Sequence, residues 1–217
     1  MEPLYVINFK AYPQGIGKRA IELAKTLDEV AGETGEKIII AVQPTDIARI
    51  VDKVEIPVFA QHVDPITPGP HTGSIPMEAI IEAGASGTLL NHSEKRLRVC
   101  DVAGVVRRAR EMGIKTIVCA GDEYEAGAIS RLKPDYVAIE PPELIGGNVS
   151  VSRAKPEVIS RGLRAVSPVP LLVGAGVKTC EDVKKAIELG ASGVLVASGI
   201  VKAENPRNAM LKLIGRM

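Results

Sequence analysis

The clearest shortage in this chain of 217 residues is of aromatic side chains: it has no tryptophan, two phenylalanines and four tyrosines. Apolar residues still make up 46% of the chain, so its core must be built mainly from aliphatic side chains. Basic and acidic residues nearly cancel, which leaves a net charge of +1. Nucleic-acid-binding proteins usually show a basic excess and exposed aromatics, so we expect no nucleic acid partner.

Paired cysteines and long apolar runs are also missing. Cys100, Cys119 and Cys180 are odd in number and lack paired spacing, which argues against a disulfide framework or a zinc site and suits a reducing cytoplasm. No apolar run approaches the roughly 20 residues of a membrane-spanning helix. The chain opens on a strand-like run, so we expect no signal peptide. These patterns predict a cytoplasmic protein without a membrane partner.

Eight short strand-like runs recur along the chain, and most are apolar throughout, which is typical of strands buried on both faces of a parallel sheet. They span residues 4–7, 37–42, 58–61, 87–91, 116–120, 136–140, 170–174 and 193–197. Amphipathic stretches that predict helices lie between them at 18–31, 76–83, 102–112 and 180–189, and each is followed by a glycine as a stop signal. Thr179 or Cys180 is expected to cap the last of these helices.

Eight strands that alternate with helices predict an α/β fold, a (β/α)8 barrel. No composition shift or long linker divides the chain, so we expect one domain over residues 1–217. The chain is short for such a barrel, and several of its helices and connections must be abbreviated. An open doubly wound sheet is the alternative on periodicity alone.

In such a barrel the active site lies at the carboxyl ends of the strands, so polar residues there are the candidates for chemistry. The first strand is followed by Asn8-Phe9-Lys10, and a lysine at the barrel mouth suits the binding of an anion. The fourth strand ends beside His92. We expect Ser93 to cap a new helix there, whose N-terminus would favour a neutral imidazole.

The sixth strand-like run ends in Glu140, which is followed by two prolines, a short apolar tip and two glycines. The prolines stiffen one end of this loop and the glycines loosen the other, as expected of a hinged lid at 141–147 beside a catalytic base. Taken alone, a glutamate before a proline-rich turn, a strand-end lysine and a hydrogen-bonded histidine each have an ordinary structural explanation.

Two glycine-containing turns follow the last two strand-like runs. Gly174-Ala175-Gly176 ends the seventh, and Ala197-Ser198-Gly199 ends the eighth and is expected to open a short helix. Together they predict a phosphate site built from these turns and a helix N-terminus. No Gly-x-Gly-x-x-Gly follows the first strand, so the chain carries no dinucleotide fingerprint.

Four separated motifs stand in the order and spacing of the triosephosphate isomerase family. They are Asn8-Phe9-Lys10, residues 91–96 (NHSEKR), residues 138–146 (AIEPPELIG) and the two glycine-containing turns. The chain resembles this family along its whole length, and most of all its short archaeal form. The resemblance implies a TIM barrel that interconverts dihydroxyacetone phosphate and D-glyceraldehyde 3-phosphate in glycolysis or gluconeogenesis. It implies no metal and no organic cofactor.

The resemblance also assigns roles to individual residues. Glu140 would be the base, neutral His92 would polarise the carbonyl and shuttle protons between the oxygens, and Lys10 would attract the substrate and stabilise the enediolate. Asn8 would orient this region, and Glu94 would contact Lys10 without contacting the substrate. The substrate-binding set implied by the resemblance is Asn8, Phe9, Lys10, Ile145, Gly146, Gly176, Ala197 and Ser198.

The resemblance includes a docking loop and several departures. The family loop that corresponds to 62–76 docks into a partner subunit, which implies a homo-oligomer, a tetramer in the archaeal form with a dimer as the alternative. Longer members usually have glycine before the histidine and arginine after Ser-Glu, where this chain has Asn91 and Lys95. They also usually have an aromatic pair in the lid and Gly-Gly-Ser in the phosphate turn.

Two other functions remain open from the sequence. One is a different phosphate-binding barrel, such as a ribulose-phosphate epimerase or an isomerase of tryptophan or histidine synthesis. The other is a non-catalytic barrel that only binds phosphorylated sugars or serves as a scaffold. Both explain the glycine-containing turns, but neither explains Lys10, His92 and Glu140 together.

Overall fold

The computed structural model describes residues 2–141 and 156–217, and eight parallel strands close into one barrel in chain order. The strands are β1 Leu4–Asn8, β2 Lys37–Val42, β3 Val58–Ala60, β4 Gly87–Leu90, β5 Lys115–Ala120, β6 Tyr136–Ile139, β7 Leu171–Val173 and β8 Gly193–Val196. Each strand pairs with its successor, and β8 pairs with β1, Leu4 opposite Gly193 and Ile7 opposite Val196. This closure confirms the predicted barrel and excludes the open sheet.

Nine α-helices lie within the described ranges. They are α1 Lys18–Thr34, α2 Ile47–Ile50, α3 Met77–Glu82, α4 Val99–Glu111, α5 Glu123–Ser130, α6 Pro156–Val166, α7 Cys180–Glu188, α8 Ser198–Val201 and α9 Pro206–Ile214. Helices α2 and α8 have only four residues each, as expected of abbreviated connections. None of the nine is long and apolar enough to cross a membrane.

Two helix ends were predicted with different success. The expected end of α1 at Gly32 is wrong, because the helix continues to Thr34. Gly35 is its C-cap residue and adopts the left-handed conformation (φ 73°). A glycine inside a helix costs only about 0.5–1 kcal/mol, and the buried Leu27 and Val30 hold this part of α1 on the barrel. The cap by Thr179 is confirmed, since its side chain accepts from the N–H of Asp182 in a capping box.

Strand side chains alternate between the barrel interior and an outer layer that packs against the helices. The interior cluster consists of Leu4, Val6, Ile39, Ala41, Phe59, Leu89, Ile117, Cys119, Ala138, Leu172 and Leu195, with Tyr136 against it. The intervening residues, such as Ile7 and Leu90, belong to the outer layer. Continuing the interior series from Val6 and Ala138 by two residues gives Asn8 and Glu140, so the polar residues lie where the apolar filling of the barrel ends.

Candidate active site

One open cleft lies at the carboxyl ends of the strands. It is lined by Asn8, Lys10 and Tyr12 after β1, His92 after β4, Glu140 after β6, residues 175–178 after β7 and residues 195–199 at the end of β8. The three candidate catalytic residues, which are far apart in sequence, therefore meet at one mouth of the barrel.

Glu140 follows β6 directly, and its backbone N–H donates to the carbonyl of Ala120 at 2.8 Å. Its side chain is only 8% exposed. A methyl group at Gly174 would lie 2.4 Å from the Glu140 Cγ, so only glycine leaves room for this side chain. Burial raises the pKa of the neighbouring Cys119 thiol, and the charge of Glu140 and a hydrogen bond to it raise that pKa further. Cys119 therefore stays a neutral neighbour of the carboxylate.

The ring of His92 is fixed by a backbone donor. Its Nδ1 accepts from the N–H of Glu94 at 3.1 Å. A nitrogen that accepts a hydrogen bond carries no proton, so in the neutral imidazole the proton lies on Nε2. Nε2 lies 3.6 Å from Oε2 of Glu140, too far for a hydrogen bond. Both atoms are buried without a partner in the described part of the chain. Because buried polar atoms are normally paired, this donor and acceptor are suited to bind a ligand between them.

The predicted helix beginning at Ser93 is wrong. Residues 93–95 form a turn, closed by the Lys95 N–H to the His92 carbonyl at 2.8 Å, and the next helix begins at Val99. The N–H of Leu97 is bound by the side chain of Asn91, which closes the loop on the strand end instead. The donor at His92 is thus one backbone amide rather than a helix N-terminus.

Lys10 is held at the mouth by its backbone and by its side chain. Its backbone is left-handed (φ 50°), which costs about 1–2 kcal/mol for a non-glycine residue. Gln43 and Gln61 both donate to its carbonyl, at 3.2 and 3.0 Å, and its N–H donates to Oδ1 of Asn8 at 3.0 Å. Its Nζ pairs with Oε1 of Glu94 at 2.7 Å. These contacts offset the backbone cost and place an ammonium group in the cleft.

The turn after β7 is bent by two consecutive left-handed residues, Ala175 (φ 69°) and Gly176 (φ 71°). Oδ2 of Asp182 accepts from the N–H groups of Lys178 at 3.1 Å and Thr179 at 3.0 Å. This carboxylate ties the end of the turn to the first turn of α7.

The second glycine-containing turn leads directly into α8. Ala197 is the N-cap residue of this helix, and Ser198 is its first residue, as the sequence predicts. The first N–H groups of any helix have no acceptor within the helix. Ala197 and Ser198 line the cleft together with Gly176.

Comparison with known proteins covers nearly the whole chain. The family model described as triosephosphate isomerase matches residues 3–216. The chain is 47% identical to the triosephosphate isomerase of Methanothermobacter thermautotrophicus over 219 residues, which cover 99% of this chain and 96% of that protein. It is 48% identical to that of Methanocaldococcus jannaschii over 215 residues, 97% of this chain and 98% of that protein. The chain belongs to the triosephosphate isomerase family.

The residues expected from this family divide into four groups. Asn8, Lys10, Gly176, Ala197 and Ser198 line the cleft with His92 and Glu140, and Glu94 contacts Lys10 from outside the lining. Phe9 is fully buried in the outer apolar layer, and its side chain does not line the cleft. Ile145 and Gly146, with positions 142–147 of the expected lid, lie outside the described residues.

Sequence reasoning missed several residues that contact Lys10 and Glu140. Gln43 and Gln61 hold Lys10, and Cys119 and Gly174 contact Glu140. Three of them directly follow a strand, and Cys119 is next to last in β5. The two glutamines, like His92, are polar residues at strand ends, so the same sequence criterion applies to them.

Proposed function

We propose that this member of the triosephosphate isomerase family interconverts dihydroxyacetone phosphate and D-glyceraldehyde 3-phosphate through an enediolate, with Glu140 as base and His92 as electrophile. The observation that supports it most is the buried pair of His92 Nε2 and Glu140 Oε2, which have no hydrogen-bond partner among the described residues and lie 3.6 Å apart in a cleft that also contains Lys10. Moving a proton next to a carbonyl requires a base on the carbon and a donor on the oxygen at the same time.

The steps follow from the groups present. The Glu140 carboxylate removes a proton from the carbon next to the carbonyl, while Nε2–H of His92 donates to the carbonyl oxygen. The negative charge that develops on oxygen is stabilised by the ammonium of Lys10. Glu140 then returns its proton to the neighbouring carbon, and His92 exchanges protons between the two oxygens. No atom is gained or lost, as an isomerisation requires.

The phosphate group is assigned to the backbone donors of Gly176, Ala197 and Ser198, with the N-terminus of α8 adding a favourable dipole. The lid at 141–147, with Ile145 and Gly146 near the phosphate, is expected to close over the substrate. Closure would keep water away from the enediolate, which would otherwise lose its phosphate or be reprotonated at random.

A variant at the base tests this proposal. Glu140→Gln keeps the size of the side chain and removes its basicity, so turnover should fall at least about 100-fold. Binding of glycerol 3-phosphate, which needs only the phosphate donors, should stay unchanged. Near wild-type turnover in Glu140→Gln would show that another group is the base.

We also propose that the chain forms a homotetramer through loop 62–76. The loop is pinned at its base by hydrogen bonds between Asp64 and Ile75, and Arg108 donates to the carbonyl of Ile66. Its tip, residues 67–73, is exposed. A rigid base with an exposed tip suits insertion into a partner, since little ordering entropy is lost. Sedimentation should give four times the chain mass of 23.0 kDa, and the mass of a single chain would contradict the proposal.

A cytoplasmic location is proposed from the thiols. Cys100, Cys119 and Cys180 are all free, and Cys100 is exposed, as is usual where the surroundings are reducing. Cell fractionation tests this, and recovery of the protein with secreted or membrane fractions would contradict it.

A further inference from the structure

Asn91, the residue before His92, has an unusual backbone. Its φ is 56°, a left-handed conformation that asparagine tolerates better than most residues. Leu89 points into the barrel, and Leu90 belongs to the outer layer. Because strand side chains alternate, an uninterrupted strand would direct His92 to the outer layer, on the same side as Leu90. The left-handed turn at Asn91 breaks this alternation and places His92 in the cleft.

The side chain of Asn91 holds this turn in place from three directions. Its Nδ2 donates to the carbonyl of Cys119 and to Oε1 of Glu125, both at 3.0 Å. Its Oδ1 accepts from the N–H of Leu97 at 3.0 Å. Asn91 is only 3% exposed, and its bond to the carbonyl of Cys119 is buried. The amide therefore ties the strand end at His92 to the neighbouring strand, to α5 and to its own loop.

Glu125 and Arg96 close these contacts into a ring. Oε2 of Glu125 accepts from Nη2 of Arg96 at 2.8 Å and from the N–H of Gly121 at 2.6 Å. Nη1 of Arg96 donates to the carbonyl of Asn91 at 3.1 Å. The backbone and the side chain of Asn91 are thus both bound to one ion pair, which fixes the peptide plane that leads into His92.

We propose that Asn91 is a positioning residue, which through Glu125 and Arg96 holds His92 Nε2 at the place where the reacting oxygen binds. This inference rests on the proposed role of His92. Position matters because a displacement of about 1 Å at a catalytic group can reduce the rate by about 100-fold. The proposed phosphate donors lie in the turns that follow β7 and β8, so loss of the ring should lower kcat and leave substrate binding nearly unchanged.

Asn91→Gly isolates the side chain, because glycine adopts the same left-handed backbone without strain. We expect kcat to fall about 10- to 100-fold, with KM and the affinity for glycerol 3-phosphate changed less than about twofold. The matched control is Asn205→Gly, which removes an asparagine side chain that caps α9 outside the cleft and should leave kcat unchanged. A kcat for Asn91→Gly within about twofold of wild type would overturn the proposal, whatever the loss in thermal stability.

An added charge at position 91 and its compensation at position 125 test the role of Glu125. Asn91→Asp puts a carboxylate beside Glu125 and should lower kcat further. In the double variant Asn91→Asp/Glu125→Gln, the new amide can donate to the new carboxylate while its oxygen still accepts from Arg96. Part of the lost kcat should return, and no return would contradict the role of Glu125.

The imidazole can be observed directly by ¹⁵N NMR. In the wild type, Nε2 of His92 should carry the proton, with Nδ1 as acceptor, and in Asn91→Gly the signal should shift or broaden. A signal identical to wild type would overturn the proposal. His92→Gln distinguishes the proposed role of His92 from the positioning role of Asn91. Retained turnover in His92→Gln would refute the role of His92 itself. Loss of turnover in His92→Gln together with unchanged turnover in Asn91→Gly would refute only the positioning role of Asn91.

Discussion

His92 Nε2 and Glu140 Oε2 face each other at 3.6 Å across the mouth of the barrel, and within the described residues neither has a hydrogen-bond partner. A closer contact would form a hydrogen bond between the two groups and leave neither available to a ligand. At this separation a carbonyl oxygen can accept from Nε2 while the carbon beside it approaches Oε2. This geometry suits the proposed binding of a substrate between the two groups.

Gly174→Ala should impair catalysis without removing the fold. The added methyl group would lie 2.4 Å from the Glu140 Cγ and 2.8 Å from its Oε1, so the carboxylate must move. We expect kcat to fall about 100-fold, as for a displacement of about 1 Å. Gly32→Ala is the control, because its methyl group meets nothing within 4 Å, and it should stabilise α1 by about 0.5–1 kcal/mol at full activity. Equal activity of the two variants would contradict the proposed placement of Glu140.

Removing the two amides that hold Lys10 should weaken substrate capture. In Gln43→Leu/Gln61→Leu the carbonyl of Lys10 loses both side-chain donors, and each such bond contributes about 1 kcal/mol. We expect kcat/KM for glyceraldehyde 3-phosphate to fall about tenfold, with the larger change in KM. Gln14→Leu is the control, since Oε1 of Gln14 has no partner in the described residues. An unchanged KM in the double variant would contradict the proposed support of Lys10.

Stability should fall as the pH decreases through the range in which His62 titrates. Burial lowers the pKa of His62 from its ordinary value of 6.5, despite a hydrogen bond to Asp64 that raises it, and Lys95 also lowers it. Below about pH 6.5 the unfolded chain therefore binds a proton that the folded chain resists, which favours unfolding. As the pH falls from about 7.5 to about 5.5, the thermal midpoint of the wild type should decrease more than that of His62→Asn, so the difference between the two midpoints should become smaller. A difference that is constant over this range would contradict the burial of a neutral His62.

The Cys119 thiol should be inert in the folded protein. Burial, together with the charge and hydrogen bond of Glu140, raises its pKa well above the ordinary value, so the reactive thiolate is scarce. In Cys100→Ser/Cys180→Ser, where Cys119 is the only thiol, a disulfide reagent should label it only at the rate of unfolding. The same variant in urea is the control and should react at once. Rapid labelling of the folded variant would show that Cys119 is accessible.

The strand pattern was enough to predict the barrel, but helix ends depended on more than residue type. Gly32 and Gly35 are the same residue three positions apart, and only Gly35 adopts the left-handed conformation that ends α1. Packing of α1 on the barrel decides between them, and no local pattern contains that information.

The meeting of Lys10, His92 and Glu140 at one mouth of the barrel could be predicted because strand ends lie there, whereas the contacts of Asn91 could not. Ser93 looked like a helix cap, yet the Asn91 side chain closes the loop by binding residues from β5, α5 and the loop itself. Glu125 lies 34 residues beyond Asn91, and only the folded barrel brings the two together. Such long-range side-chain pairs leave no periodic signal in the sequence.

The most direct test of the central claim is a coupled assay of glyceraldehyde 3-phosphate conversion to dihydroxyacetone phosphate in the presence of a metal chelator. The proposed mechanism predicts fast turnover that the chelator does not change and that Glu140→Gln removes. Absence of turnover while glycerol 3-phosphate still binds, or turnover that the chelator abolishes, would contradict the assignment of Glu140 and His92 as the groups that move the protons.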